Sequence, residues 1–189
     1  MPNPSIVLAP EDWFEKAFDF TLPIGAFPAV MERVRGTPIR LEELVRSVPP
    51  ALLTVRHGNS WTIQEHVGHL SDLEALHSAR LEDFRAGHSV LQAADVTNRR
   101  TDEAAHNDQA LEDLLSRFRA VRRDLVEQLD AMDAETVGRA AQHPRLGKPM
   151  RVIDLVQFTA DHDDHHLASI RFLAAKLAAA GAQNQQVGP

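Results

Sequence analysis

Apolar residues recur at helical spacing in four long stretches of the chain, and no stretch shows the alternation typical of strands. The third stretch, about Asp108 to Met132, has leucine, phenylalanine and valine side chains three or four residues apart, which places them on one face of a helix. The same spacing predicts helices over about Phe27 to Val48, Trp61 to Arg85 and Val152 to Ala179. Four long helices joined by three connections predict an all-α, antiparallel four-helix bundle.

Prolines and small polar residues indicate where the helices are interrupted. Pro38 is expected to kink or split the first helix, because proline has no backbone N–H to donate. Asn59 or Ser60 is the expected N-cap of the second helix. Residues 87–100 are expected to form a polar loop, and residues 142–150 a shaped loop with a short extended piece.

The two ends of the chain lack the long helical pattern. Residues 1–26 are expected to form an N-terminal arm with a short helix, because the stretch EDWFEKAFDF at 11–20 is amphipathic but brief. The aromatic side chains of this stretch, including Trp13, would cover either the core or a partner surface. The bundle itself is expected over residues 27–180, and residues 181–189 are expected to be a disordered tail.

Composition narrows the class of protein. A chain of 189 residues fits one domain, and a net charge of −7 argues against a nucleic-acid partner. The absence of cysteine excludes disulfides, thiolate metal ligands and a cysteine nucleophile. The sequence has neither a signal-peptide pattern nor a stretch of about 20 apolar residues. We therefore expect a cytoplasmic protein without a membrane partner.

The stretch ADHDDHHLAS at residues 160–169 holds the most distinctive chemistry in the chain. On the predicted fourth helix, His162 and His166 fall on the apolar stripe one turn apart, whereas His165 lies off the stripe and Asp164 lies opposite it. Two imidazoles at positions i and i+4 that face a bundle core commonly bind a metal ion. The alternative is a pair of buried histidines whose hydrogen bonds are satisfied by neighbouring carboxylates.

A third metal ligand would have to come from another helix, and the second helix offers four candidates. His66, Glu74 and His77 lie inside its apolar stripe, and His69 lies at the edge of the stripe. Periodicity therefore slightly favours His66 over His69 and leaves the choice open.

The segments WTIQEHVGHLSDLE and HPRLGKPMRVIDLVQFTADHDDHHLASI make the chain similar to the DinB/YfiT-like metalloprotein superfamily, over about residues 27–177. The shared motifs are a Trp-led helix reading W-x7-H-L-x-D, an HP-x2-G-K loop and a helix reading H-x3-H-L-x2-I. In that family, the histidine eight positions after the tryptophan and the two histidines of H-x3-H hold the metal. The resemblance thus implies a bundle of DinB/YfiT type with His69, His162 and His166 as ligands.

Three neutral imidazoles leave coordination positions open, as in a catalytic site. Zinc or nickel is the expected divalent ion, and manganese or iron also fits such ligands. Asp163, beside His162, and Glu74, on the inner face of the second helix, are candidates to take a proton or to orient a ligand histidine.

The resemblance implies a metal-dependent hydrolase or a low-molecular-weight-thiol S-transferase, acting on a small-molecule substrate with a thiol cosubstrate in the second case. The alternative is a non-catalytic metal-binding or stress-associated bundle protein. A polar pocket beside the metal would favour the enzyme. We also expect a homodimer, because the aromatic residues of segment 11–20 exceed what a short arm buries and family members commonly pair through bundle helices.

Overall fold

The computed structural model describes the backbone of residues 8–186 and the side chains of residues 8–183. Six α-helices, two short strands and three single-turn 3-10 helices make up this part of the chain. The α-helices are α1 (Phe27–Arg46), α2 (Ile63–Ala86), α3 (Arg99–Glu103), α4 (Leu111–Asp130), α5 (Ala134–Gly138) and α6 (Val152–Gln186), and the strands are β1 (Ala140–His143) and β2 (Lys148–Arg151). The 3-10 helices are Ile24–Ala26, Pro50–Leu52 and His106–Asp108.

The four long helices form the predicted bundle. Helix α2 contacts α4 and α6, and α1 contacts the same two helices, so α1 and α2 lie diagonally opposite each other. The neighbouring positions of α2 and α6 bring the two histidine-bearing helices side by side. No helix within residues 8–186 has the length and apolar character needed to cross a membrane.

The apolar core is divided into two clusters along the bundle axis. On α6, one cluster ends at Ala160 and the other begins at Leu167, so the histidine-rich stretch lies between them. On α1, the division falls between Val34 and Leu41. Polar residues therefore occupy a layer inside the bundle that apolar residues would otherwise fill.

Arg122 on α4 is the centre of this polar layer and is 1% exposed. Its guanidinium group donates to Glu74 on α2, with Nη2 2.6 Å from Oε1, and to Asp163 on α6, with Nη1 2.5 Å from Oδ2. The hydroxyl of Thr37 on α1 lies 2.7 Å from the same Asp163 oxygen. The hydrogen bonds of Arg122 and Asp163 thus connect side chains from all four long helices.

Pro38 does not split the first helix, because α1 runs through it from Phe27 to Arg46. Without an N–H at Pro38, the carbonyl of Val34 loses its usual helical donor. Arg122 Nη1 lies 3.1 Å from that carbonyl oxygen and donates to it instead. The polar layer therefore compensates for the interruption that the sequence predicted.

The start of α2 also differs from the prediction. Thr62, rather than Asn59 or Ser60, is the N-cap: its hydroxyl accepts from the Glu65 backbone N–H, and the Glu65 carboxylate accepts from the Thr62 N–H. This reciprocal pair is a capping box. The extended piece expected in residues 142–150 is present as the antiparallel pairing of β1 with β2.

The ends of the chain follow the prediction only in part. Residues 11–20 form a turn and an extended stretch, not a helix; the 3-10 helix Ile24–Ala26 is the short helix of the arm. The Trp13 ring lies 5.0 Å from the ring of Phe158, so the arm covers the core of its own chain. Helix α6 continues to residue 186, through part of the expected tail. Residues 1–7 and 187–189 lie outside the described residues.

The buried ion pairs of Arg122 predict a large effect on stability. Replacing Arg122 with Leu would leave Glu74 and Asp163 buried without a cation, which typically costs about 3–5 kcal/mol. We expect a loss of that order in the free energy of unfolding, measured by urea denaturation. Arg46→Leu is the matched control, because Arg46 is 54% exposed and surface ion pairs contribute about 1 kcal/mol or less. Equal losses in the two variants would contradict this role of Arg122.

Candidate metal centre

Three buried histidines meet where α2 passes α6. One ring nitrogen from each of His69, His162 and His166 lies within 4.8 Å of the others. His162 Nε2 and His166 Nε2 are 3.0 Å apart, as expected for residues one helical turn apart with their rings turned to the same point. The structure therefore brings together the three histidines that the family resemblance selects.

The spacing of the two α6 nitrogens suits a shared cation. Two ring nitrogens that both present lone pairs at 3.0 Å repel each other unless a proton or a metal ion lies between them. Ligand nitrogens about 2.1 Å from one ion and at right angles to each other are about 3.0 Å apart. The separation therefore matches two ligands at right angles on one ion, and it also matches a hydrogen bond between the two rings.

His66 takes a different position from the one that periodicity favoured. Its Nδ1 lies 2.8 Å from Nδ1 of His166, on the opposite side of that ring from His162. A metal on His166 Nε2 requires a proton on Nδ1, which His66 Nδ1 would then accept. His66 therefore hydrogen-bonds to His166 from outside the cluster of three.

A chain of hydrogen bonds sets the orientation of His69. Thr101 Oγ1 donates to Asp72 Oδ2 at 3.0 Å, so the bond of 2.9 Å between His69 Nδ1 and that hydroxyl has the histidine as donor. With its proton on Nδ1, His69 presents an unprotonated Nε2. Carboxylates that orient metal-binding histidines in this way commonly raise metal affinity.

The segment after α2 completes this network. His106 Nε2 lies 2.8 Å from Asp72 Oδ2, and the His106 ring packs against Gly68 so closely that a Cβ on residue 68 would lie 2.3 Å from it. Only glycine leaves room for this ring. Sequence reasoning missed the roles of Thr101 and His106, although Asp72 in the H-L-x-D motif marks the group that they surround.

Burial keeps the histidines of this centre neutral. Desolvation lowers the pKa of His69 to about 3 and that of His66 to about 4. It also lowers the pKa of His162 and of His166 well below the ordinary value. Neutral imidazole is the form that binds metal ions, so these side chains need not lose a proton at neutral pH.

The histidine cluster borders an open cavity of about 630 Å³. The Trp61 ring lies 4.6 Å from the His69 ring, and the Trp13 ring, from the N-terminal arm, lies 4.9 Å from the His162 ring. Much of the remaining wall is apolar and includes Phe14, Leu73, Leu76 and Phe158. A small organic molecule therefore has access to the histidine centre.

Glu74 and Asp163 do not border this cavity. Both carboxylates face Arg122 in the polar layer, and burial raises the pKa of Glu74 although Arg122 opposes that shift. The expectation that either group takes a proton from a substrate does not fit this geometry. Their position indicates a structural role instead.

The comparisons with known proteins agree with the fold. The model of the DinB superfamily matches residues 33–170, so the chain belongs to that superfamily. The resemblance seen in the sequence motifs is thereby confirmed. No curated protein sequence is significantly similar to this chain.

Two solved structures share the fold at low sequence identity. The first is YfiT from Bacillus subtilis, described as "a probable metal-dependent hydrolase", with a TM-score of 0.76 and 14% identity over 87% of this chain and 94% of YfiT. The second is a mycothiol-dependent maleylpyruvate isomerase, with a TM-score of 0.64 and 10% identity over 82% of this chain. The match spans 63% of the isomerase chain.

The close packing of His106 on Gly68 gives a test of the hydrogen-bond chain. Gly68→Ala would displace His106 from Asp72 and loosen the support of His69, so we expect zinc affinity to fall about 10–100-fold. The measurement is competition with a chromogenic chelator. Gly36→Ala is the matched control, because a Cβ at that helical position would lie 4.0 Å from its neighbour, Nε of Arg40. Unchanged affinity in the Gly68 variant would contradict the proposed support.

Proposed function

We propose that this chain is a metal-dependent enzyme in which His69, His162 and His166 hold a divalent ion. The observation that carries the proposal is the convergence of three buried histidine nitrogens at the wall of an open cavity. The donor set fits such an ion, since three imidazoles without a thiolate suit zinc or nickel and also accommodate manganese or iron.

The surrounding residues have complementary tasks in this proposal. An ion bound there would supply Lewis acidity to a substrate oxygen or lower the pKa of a bound water or thiol. His66 orients His166, and the Thr101–Asp72 pair orients His69. The aromatic walls exclude bulk water from part of the cavity, which strengthens electrostatic interactions within it.

Hydrolysis or transfer of a low-molecular-weight thiol is the reaction class we propose, with a small molecule as substrate. The description of YfiT as a probable metal-dependent hydrolase supports hydrolysis. The description of the isomerase as mycothiol-dependent supports a reaction with a low-molecular-weight thiol. The cavity is more apolar than the polar pocket expected from the sequence, but it is open and reaches the histidines. This favours an enzyme over a non-catalytic metal-binding or stress-associated protein, because a storage or structural site needs no space for a substrate.

We also propose a homodimer, although fewer aromatic side chains are free to contact a partner than the sequence suggested. Trp13 and Phe18 pack within their own chain, which removes most of the aromatic surface that the prediction relied on. Phe14, which also borders the cavity, is 56% exposed and is the aromatic residue of this segment with the most surface left for a partner.

The test combines metal content with turnover. We expect about one zinc or nickel per chain, and loss of stoichiometric binding in His69→Ala and in His162→Ala. His66→Ala should keep the metal with weaker affinity, because His66 acts only through His166. The exposed His57 provides the control variant, His57→Ala, which should bind like the wild type.

Turnover is then measured on ester, amide and thiol-transfer substrates with the loaded protein. Activity that disappears in the His69 and His162 variants and persists in the His57 variant supports the enzyme. Stoichiometric metal without turnover on any of the three substrate types would favour the non-catalytic class. Metal loss in His66→Ala but not in His69→Ala would overturn the ligand assignment.

A further inference from the structure

A second polar cluster borders the same cavity and has no part in the metal centre. It consists of Arg80 on α2, His143 at the end of β1 and Arg145 in the hairpin loop. Within the part of the chain that the structure describes, Arg80 Nη2, Arg145 Nη2 and His143 Nε2 are buried and have no hydrogen-bond partner. Buried donors without partners are rare in folded proteins and call for a physical explanation.

The three side chains are held in place by their other atoms. Arg80 Nε donates to the Gln92 carbonyl at 2.9 Å. His143 Nδ1 accepts from the Leu146 N–H at 3.2 Å, which puts the ring proton on the unpartnered Nε2 and makes it a donor. The guanidinium carbon of Arg145 lies 5.9 Å from the centre of the Phe158 ring. Hydrogen bonds thus hold Arg80 and His143 in place, and Arg145 lies over the aromatic rings of Phe14 and Phe158.

The charges in this cluster are not neutralised as they are in the polar layer. Arg122, also buried, has two carboxylates within 2.6 Å. Burial and the nearby Arg145 lower the pKa of Arg80 to about 10, and Asp83 offsets only part of that shift. Burial lowers the pKa of Arg145 as well, with no carboxylate opposing it. Both arginines stay protonated at neutral pH, so the cluster has two positive charges without an ion-pair partner among the described residues. The carboxylates of Glu11, Asp12 and Asp95 border the same cavity but do not pair with these arginines.

We infer that Arg80, His143 and Arg145 form a subsite for the anionic group, a carboxylate or phosphate, of a small organic substrate. This inference deepens the proposed function, on which it rests for the reaction at the histidine centre. Guanidinium groups match carboxylate and phosphate oxygens because their N–H donors form a planar fork. An anion bound here would satisfy the three orphan donors and the excess charge together.

The wall of the cavity between this cluster and the histidines indicates what the rest of the substrate is like. Arg80 follows His69 on α2 by about three turns, a rise of about 16 Å. Leu73 and Leu76 border the cavity between them, and Phe158 lies one turn before His162 on α6. Leu73, Leu76 and Phe158 make much of the region between the two polar ends apolar, although His77 also borders it. The substrate class is therefore an organic anion with a largely apolar body.

The experiment measures probe binding by isothermal titration calorimetry to the full-length protein, zinc-loaded and chelator-treated. The probes are 3-phenylpropionate, phenyl phosphate and the neutral 3-phenylpropanamide, which share an aromatic ring and differ in the polar end. We expect both anions to bind, the amide to bind at least about tenfold more weakly, and metal removal to leave anion binding largely intact. The tighter of the two anions identifies the substrate as a carboxylate or a phosphate ester.

Substitutions assign the binding to the cluster. Arg80→Gln and Arg145→Gln should each weaken the anions about tenfold or more and leave the amide unchanged. Arg171→Gln, an exposed site on α6, is the matched control and should bind like the wild type. Arg145 is only partly buried, so its variant keeps the test decisive if Arg80→Gln fails to fold.

The outcomes separate this inference from the proposed function. Anion binding that depends on Arg80 and Arg145, in a protein that takes up none of zinc, nickel, manganese or iron, would contradict the metal enzyme and support the subsite. Equal binding of the amide and the anions would overturn the subsite. Anion binding that is lost when the metal is removed, and is unchanged in both arginine variants, would also overturn the subsite. The metal ion would then be the group that binds the anion.

Discussion

The contacts of Arg122 with Glu74 and Asp163 are the constraint on which the rest of the structure depends. The arginine lies between the two apolar clusters of the core, and its partners lie on the two helices that also supply the candidate metal ligands. An ion pair buried this completely tolerates little displacement, since a shift of one turn would leave charges unpaired. We infer that it fixes the alignment of α2 with α6, and thereby places His69 opposite His162 and His166.

The buried polar groups of the bundle are of two kinds: those with hydrogen-bond partners inside the protein and those without. Arg122 and the group around Asp72 find their partners inside the protein, which makes these parts rigid. Arg80 and Arg145 border the cavity with donors that lack a partner among the described residues. The first arrangement suits the support of a reactive centre, and the second suits the recognition of a ligand that arrives from outside.

The sequence predicted those features that depend on the geometry of a single helix. The apolar spacing indicated the four long helices, and the i, i+4 pair His162 and His166 followed directly from the helical repeat. The choice between His66 and His69 depends on how α2 is rotated against α6, which periodicity within one helix does not determine. Family motifs selected His69, and the structure groups it with the α6 pair.

The two carboxylates predicted to be catalytic also show that the pattern within one helix does not determine its contacts with other helices. Glu74 and Asp163 lie on inward faces, as expected, but Arg122 on a third helix pairs with both. The contact of Thr101 with His69 likewise depends on α3, a short helix that begins at the end of the predicted loop 87–100. Contacts between separate elements are set by packing, and local patterns carry little information about them.

The most direct test of the three-histidine centre is an anomalous difference map from crystals of the zinc-loaded protein. A three-histidine centre predicts one zinc peak per chain, about 2.0–2.2 Å from one ring nitrogen each of His69, His162 and His166. A zinc-loaded crystal without a peak at these residues, or with a peak coordinated by His66 in place of His69, would contradict it.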